Sequence, residues 1–184
     1  MKSPATDPAI DVAGIDEDAI ADGPGLRFVL FVQGCPRDCP GCHNPQTHPF
    51  GTGTPMRVSE LLERILSNPL TTGVTFSGGE PLCQAGPLAL LAERLRDARP
   101  DLDIAVYTGY TFEELLTLDN PSPLRLLRSA DTLIDGPFVA SLADRLLPFR
   151  GSSTQRILSL PLSLSSRSPI PTPSPDWLPD IPSA

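Results

Sequence analysis

The sequence predicts an α/β fold built as a partial, open (βα) barrel. Short apolar runs rich in β-formers alternate with segments whose apolar residues recur every three or four positions. That alternation argues a parallel sheet with helices packed on it. The apolar runs end in turns that carry glycine, cysteine and acidic residues, and strand ends are where sites sit in α/β folds. Length decides against closure: the chain has 184 residues, whereas a complete eight-fold barrel takes about 200 or more, with about 250 typical.

Taken in order, residues 1–9 are polar and contain proline, as a flexible lead-in does. Ile10 to Ile15 is a candidate short edge strand, followed by the acidic Asp16-Glu17-Asp18. Asp22-Gly-Pro-Gly25 is a turn by its residues alone. Phe28 to Val32 is a continuous apolar run of the kind that forms a buried parallel strand, and it delivers Cys35 at its C-terminal end. Pro45 to Pro55 has no periodicity and reads as loop. Val58, Leu61, Leu62, Ile65 and Leu66 trace one face of an amphipathic helix, capped near Ser59 or just before it.

Gly73 to Ser77 is a second strand, running directly into Gly78-Gly79. Leu88, Leu91 and Leu95 define a helix that ends near Arg99-Pro100. Asp103 to Tyr107 is a third strand, Phe112 to Leu118 a short helix, and Leu124 to Leu127 part of another. Thr132 to Asp135 is a fourth strand, ending at Gly136-Pro137. Residues 10–158 thus form one domain. From Ser159 the character changes to Pro and Ser, as in Ser168-Pro-Ile-Pro-Thr-Pro-Ser-Pro175. Residues 159–184 are expected as a disordered or polyproline-like tail, with the only tryptophan, Trp177, lacking a fixed partner there.

Composition excludes several classes. Apolar residues make up 40% and charged residues 20%, which suits one globular domain with a real core. The net charge is −8 and Lys and Arg form no dense patch, so nucleic acid is not an expected partner. No apolar run approaches the roughly 20 residues that span a bilayer. Met1 to Asp11 lacks the basic and apolar regions of a signal peptide. Clustered cysteines without such a signal read as metal binding in a reducing compartment, so a cytoplasmic location is expected.

The stretch Gly34-Cys-Pro-Arg-Asp-Cys-Pro-Gly-Cys-His-Asn44 sets Cys35, Cys39 and Cys42 in C-x3-C-x2-C spacing. Interleaved Gly and Pro keep it out of helix and strand and let three thiolates converge. Thiolates select iron–sulfur clusters, zinc or cuprous copper. A structural zinc site wants four closed ligands, whereas a [4Fe–4S] cluster on three cysteines leaves one iron open. The spacing favours the cluster, with a zinc site and unrelated loop thiols as alternatives. The leftover thiol, Cys83, is read as a small buried apolar residue and not as a ligand. Ser77-Gly78-Gly79-Glu80 reads equally as an ordinary strand-to-helix turn or as a backbone that approaches a ligand closely, with a carboxylate to receive an ammonium group.

C-x3-C-x2-C is the signature of radical S-adenosylmethionine enzymes. Around it stand Asp22-Gly-Pro-Gly-Leu-Arg27, Phe28-Val-Leu-Phe-Val-Gln-Gly34, Ser77-Gly-Gly-Glu-Pro81, Tyr107-Thr-Gly-Tyr110, Asp135-Gly-Pro-Phe138 and Arg150-Gly-Ser-Ser153. With these words in this order, residues 10–158 resemble the activating proteins of anaerobic ribonucleoside-triphosphate reductase, a family of glycyl-radical activases. The resemblance implies the partial barrel of radical S-adenosylmethionine proteins, and a [4Fe–4S] cluster on Cys35, Cys39 and Cys42 whose open iron chelates S-adenosyl-L-methionine. It implies that Gly78, Gly79 and Glu80 contact the amino group of that cofactor. Many members of the wider class carry an aromatic just before the last cysteine. Gly41 stands there in this chain, so adenine is expected on backbone and on His43. Thr108, Gly109, Asp135 and Gly136 are second-tier candidates for cofactor or substrate. Thr154 departs from the family, in which asparagine is common, and the closing Arg150-Gly-Ser-Ser153 has no role assigned.

The implied chemistry needs no side-chain acid or base, and the chain shows no convincing acid–base pair. An electron from reduced flavodoxin or ferredoxin enters the cluster and cleaves S-adenosylmethionine to methionine and a 5′-deoxyadenosyl radical. The radical abstracts hydrogen from a glycine of the large subunit of anaerobic ribonucleotide reductase. An activase of the pyruvate formate-lyase type is the nearest rival, and a zinc-binding interaction module the rival from another class.

Overall fold

The structure, a computed structural model, describes residues 7–178. Strands β1 (Ala9–Ala19), β2 (Arg27–Val32), β3 (Thr54–Arg57), β4 (Gly73–Gly78), β5 (Asp103–Tyr107), β6 (Thr132–Asp135) and β7 (Arg156–Ser159) form one sheet. Its order is β3-β1-β2-β4-β5-β6-β7, a linear order that does not close. The parallel part is β2-β4-β5-β6. The flanks β1, β3 and β7 are antiparallel, so the sheet is mixed where the sequence predicts a parallel one.

The differences lie at the flanks and have local causes. β1 is longer than the Ile10–Ile15 expected and is no edge, because β3 pairs outside it. Register shifts between Val12 and Gly14 and between Asp16 and Ala19 carry it through its acidic stretch. That stretch faces outward, with Glu17 paired to Arg64 and Asp18 accepting from Asn68. β3 occupies the end of the segment read as loop. Its Pro55 cannot donate to a ladder, which an edge strand tolerates.

Helices α1 (Val58–Leu66), α2 (Ala85–Ala98), α3 (Phe112–Leu115), α4 (Pro121–Arg128) and α5 (Leu160–Ser166) complete the fold. Leu61 and Ile65 of α1, Leu88, Leu91 and Leu95 of α2, and Leu126 and Leu127 of α4 join one buried cluster with Phe28, Leu30, Val74, Phe76, Ile104, Val106 and Leu133 of the sheet. The α1 start takes no cap from its own N-cap residue, Arg57. Asp7 supplies it, its carboxylate accepting from the Ser59 amide at 3.0 Å and the Ser59 hydroxyl at 2.7 Å. α3 opens on a capping box between Thr111 and Glu114.

Strand alternation turns Ala105, Tyr107, Ile134 and Ile157 to the other face of the sheet. There the expectation of a disordered tail is corrected. Ser159 ends β7, and α5 follows directly, with Pro161 in its first turn and Arg167 closing it at φ 54°. The chain then returns along the free side of β7, the Thr172 amide donating to Ile157 O at 3.0 Å and the Ser159 amide to Ile170 O at 2.9 Å. It brings Trp177, 2% exposed, onto Ala105, Ile134 and Ile157. The Arg27 guanidinium lies 5.2 Å from the Trp177 ring centre, and Phe149 meets the ring edge-on at 5.4 Å. Proline here shapes a packed strap because each Pro removes a donor that the strap, lying at an edge, does not need. The expectations for 1–6 and 179–184 lie outside the described residues.

Candidate functional site

Because β2, β4, β5 and β6 are parallel, their C-terminal ends emerge on one rim. They carry Cys35, Gly78-Gly79-Glu80, Thr108-Gly109 and Gly136-Pro137-Phe138 respectively. All three clustered cysteines line one cavity at that rim, together with Gly78, Gly79 and Glu80. Cys83 stays out of the lining and is exposed, not buried as expected. Partial desolvation, with the charges of Glu80 and Cys35 nearby, pushes its thiol up to about 11.

The cysteine loop is anchored where it leaves β2. The Gly34 amide donates to Thr47 O at 2.8 Å and the Cys35 amide to His48 O at 3.0 Å. The strand-end loops are then locked to each other: the Gly79 amide donates to Val32 O at 2.8 Å and the Glu80 amide to Gly34 O at 2.9 Å. This crossing explains both glycines. Gly78 sits at φ 97°, and a Cβ there would stand 2.6 Å from the Val32 amide nitrogen. A Cβ on Gly79 would run into the Gly34 carbonyl. The loop reaches the cavity with backbone alone.

Glu80 is 1% exposed. Its Oε1 accepts from the Leu82 amide at 3.1 Å and the Thr108 hydroxyl at 2.9 Å, and its Oε2 from the Gly109 amide at 2.9 Å. Burial pushes its carboxyl above the usual range, against the pull of those donors and of the Arg37 charge. Thr108 and Gly109 thus hold Glu80 in place, and both also line the cavity. Asp135 does not face it: it is buried under Arg156, whose Nε donates at 2.9 Å, and under the Phe112 amide at 2.7 Å. Gly136 does line the cavity.

Gly41 takes φ 73°, and His43 packs against Phe138 with ring centres 4.9 Å apart. Phe138 belongs to the segment 136–155, which arches from β6 to β7 over this side of the rim. A Cβ on Gly151, in the same segment, would stand 3.0 Å from Phe138 and 3.1 Å from His43, so both rings would have to give way. The arch is closed by Gln155, which accepts from the Gly151 amide at 2.8 Å, and by Thr154, which donates to Pro137 O at 2.9 Å. Asp22, Phe138 and Gly151 were visible in the sequence only as motif words without a role, and Arg37, which also lines the cavity, carried no signal of its own.

The residues present fit an iron–sulfur cluster. Three cysteine thiols line one cavity, and thiolates are the ligands that hold iron–sulfur clusters. The Asn44 amide donates to Cys42 Sγ at 3.4 Å, the kind of bond that tunes a cluster. Burial raises the Cys35 thiol, with the Arg37 amide opposing and Glu80, Cys39 and Cys42 adding to the rise.

Comparison with known proteins agrees. The pattern of a 4Fe-4S single cluster domain matches residues 21–158. The anaerobic ribonucleoside-triphosphate reductase-activating protein of Salmonella typhi is 37% identical over 143 residues, which is 74% of this chain and 90% of that protein. Its namesakes from Vibrio cholerae, 37% identical over 75% of this chain and 90% of theirs, and from Enterobacteria phage T4, 36% over 75% and 86%, are similar too. This chain belongs to their family. The matched 4Fe-4S domain ends at Leu158, inside β7, so the α5–Trp177 strap lies beyond it. Among the described residues no helix is long and apolar enough to cross a membrane.

Proposed function

We propose that the chain is a glycyl-radical activase of the radical S-adenosylmethionine type, acting in the cytoplasm on the large subunit of anaerobic ribonucleotide reductase. The observation that carries this is the shared cavity. Cys35, Cys39 and Cys42 open into the same space as the backbone of Gly78-Gly79 and the carboxylate of Glu80, at the C-terminal rim of the parallel strands. The names of the relatives supply the partner.

In this reading Cys35, Cys39 and Cys42 hold a [4Fe–4S] cluster. When bound, the cluster and S-adenosylmethionine would supply, with one electron from reduced flavodoxin or ferredoxin, the reductive carbon–sulfur cleavage and the hydrogen abstraction from a glycine Cα. The chain itself binds and orients. Gly78 and Gly79 present backbone to the methionyl end, and Glu80 receives its ammonium. His43 lines the cavity and would face adenine, with Phe138 backing the imidazole, while Gly41, outside the lining, gives the loop its turn at φ 73°. The sheet does not close, which in this reading leaves the site open to a loop of a protein substrate.

The test is an electron paramagnetic resonance spectrum of anaerobically reconstituted protein, reduced with dithionite, with and without S-adenosylmethionine. A [4Fe–4S]+ signal that changes on adding the ligand is expected, and it should be lost on Cys35→Ala, Cys39→Ala or Cys42→Ala but kept in Cys83→Ala. Stoichiometric zinc without iron, or equal loss in all four variants, would overturn the reading.

A further inference from the structure

Two opposite charges face the candidate cavity without pairing to each other. On Glu80, Oε1 already accepts two hydrogen bonds and Oε2 only one, from the Gly109 amide. A carboxylate oxygen has two lone-pair positions, so Oε2 retains one. Beside it lies Arg37, from the cysteine loop. The floor between them is Gly109: a Cβ there would stand 2.5 Å from Arg37 Cδ and 3.6 Å from Glu80 Oε2. A side chain at 109 would fill the gap.

Arg37 is held from outside the cavity. Its guanidinium lies 4.3 Å from the Tyr110 ring centre, and Nη2 stands 3.7 Å from Glu114 Oε2. These contacts leave Nε buried with no hydrogen-bond partner. Such orphans are rare in native structures and call for an explanation. Packing on Tyr110 explains where the side chain lies, but not why a buried donor is left unpaired in a residue that lines the cavity. An acceptor site with one place left and an unpaired donor, flanking one gap, are the complement of a molecule that carries an ammonium and a carboxylate on neighbouring atoms.

We propose that Arg37 Nε binds the carboxylate of the methionine end of S-adenosylmethionine while Glu80 Oε2 takes its ammonium, so that Arg37 selects ligands with a free α-carboxylate. This rests on the function proposed above. It gives the side chain between Cys35 and Cys39 a ligand-binding role, and it makes Gly109 the spacer that keeps the two charges apart.

Isothermal titration calorimetry on anaerobically reconstituted, oxidised protein tests it, since no cleavage occurs without reduction. The probes are S-adenosylmethionine and its decarboxylated analogue. Arg37→Gln should weaken the first about 10- to 100-fold, the scale of one charge-assisted hydrogen bond, and leave the second within about twofold. Glu114→Gln, which removes only the outer ion pair and keeps a capping side chain, should change neither. If Arg37→Gln does not take up iron, Arg37→Lys serves instead, and it should lose affinity for S-adenosylmethionine alone. Equal weakening of both ligands, or of neither, overturns the assignment while leaving the proposed function intact. Failure of the wild type to bind S-adenosylmethionine would sink both.

Discussion

Glu80 shows what the site demands of one residue. A carboxylate with almost no exposure is retained by three donors, and burial still pushes its carboxyl above the ordinary range. The folded state therefore holds the Glu80 proton more tightly than the unfolded chain does. Through the window between the ordinary carboxylate value and the raised one, this group loses stability as pH rises. Cluster-free wild type should accordingly gain stability relative to Glu80→Gln as pH falls from 7 toward 5, measured as the difference in urea-unfolding free energy at each pH. A difference independent of pH would mean that the three donors offset burial in full. Gly79 is the other residue with no latitude. Gly79→Ala drives a methyl group into the Gly34 carbonyl, and overpacking of this kind costs about 1–3 kcal/mol. Because the clash separates the cysteine loop from the Glu80 loop, iron uptake should fall along with the unfolding midpoint.

At the scale of elements, the arch over residues 136–155 ties site to sheet. Thr154 holds it by one bond to Pro137 O and one shared with Ser152 at 2.7 Å. Thr154→Ala removes a net contribution of about 1 kcal/mol, so hydrogen exchange at Val139 and Gly151 should quicken about fivefold if the arch opens as a unit. Unchanged exchange would mean that Gln155 alone holds it. The same arch marks the limit of what could be read from sequence. β2, β4, β5 and β6 were legible because a strand buried on both faces must be a continuous apolar run. The cysteines and Gly78-Gly79-Glu80 were legible because their spacing is itself the chemistry. β3 and β7 left no such trace: Thr54-Pro-Met-Arg57 buries only Met56, and Arg156–Ser159 is defined by its partner β6. α5 was hidden in serine and proline, although Pro161 in its first turn is a start signal. Arg37, Phe138 and Gly151 gain meaning only when separate loops meet, which no local pattern encodes.

For the whole molecule, the decisive feature is that the sheet has helices on one face and a strap on the other. Arg27 is fully buried at the N-terminal end of the parallel strands. It donates to Thr75 Oγ1 at 2.7 Å, to Val74 O at 2.9 Å, to Asp103 O at 3.0 Å and to Asp103 Oδ2 at 2.8 Å, so β2, β4 and β5 share one cation. Trp177 covers that cation and the apolar Ala105, Ile134 and Ile157. A buried charge keeps its strength only while water is excluded, which makes the strap part of the stability of the strands that position the site. Trp177→Ala should therefore cost about 3–5 kcal/mol, out of a total of about 5–15 kcal/mol for a typical domain. Circular dichroism during urea unfolding measures that loss directly. As the only tryptophan, Trp177 also reports on its own release: in the wild type its fluorescence transition should coincide with the loss of helix signal, because the strap and the sheet come apart together. A fluorescence transition well ahead of the helix signal, together with a loss under about 1 kcal/mol in Trp177→Ala, would reduce the strap to a loosely attached appendage and leave Arg27 to hold the strands alone.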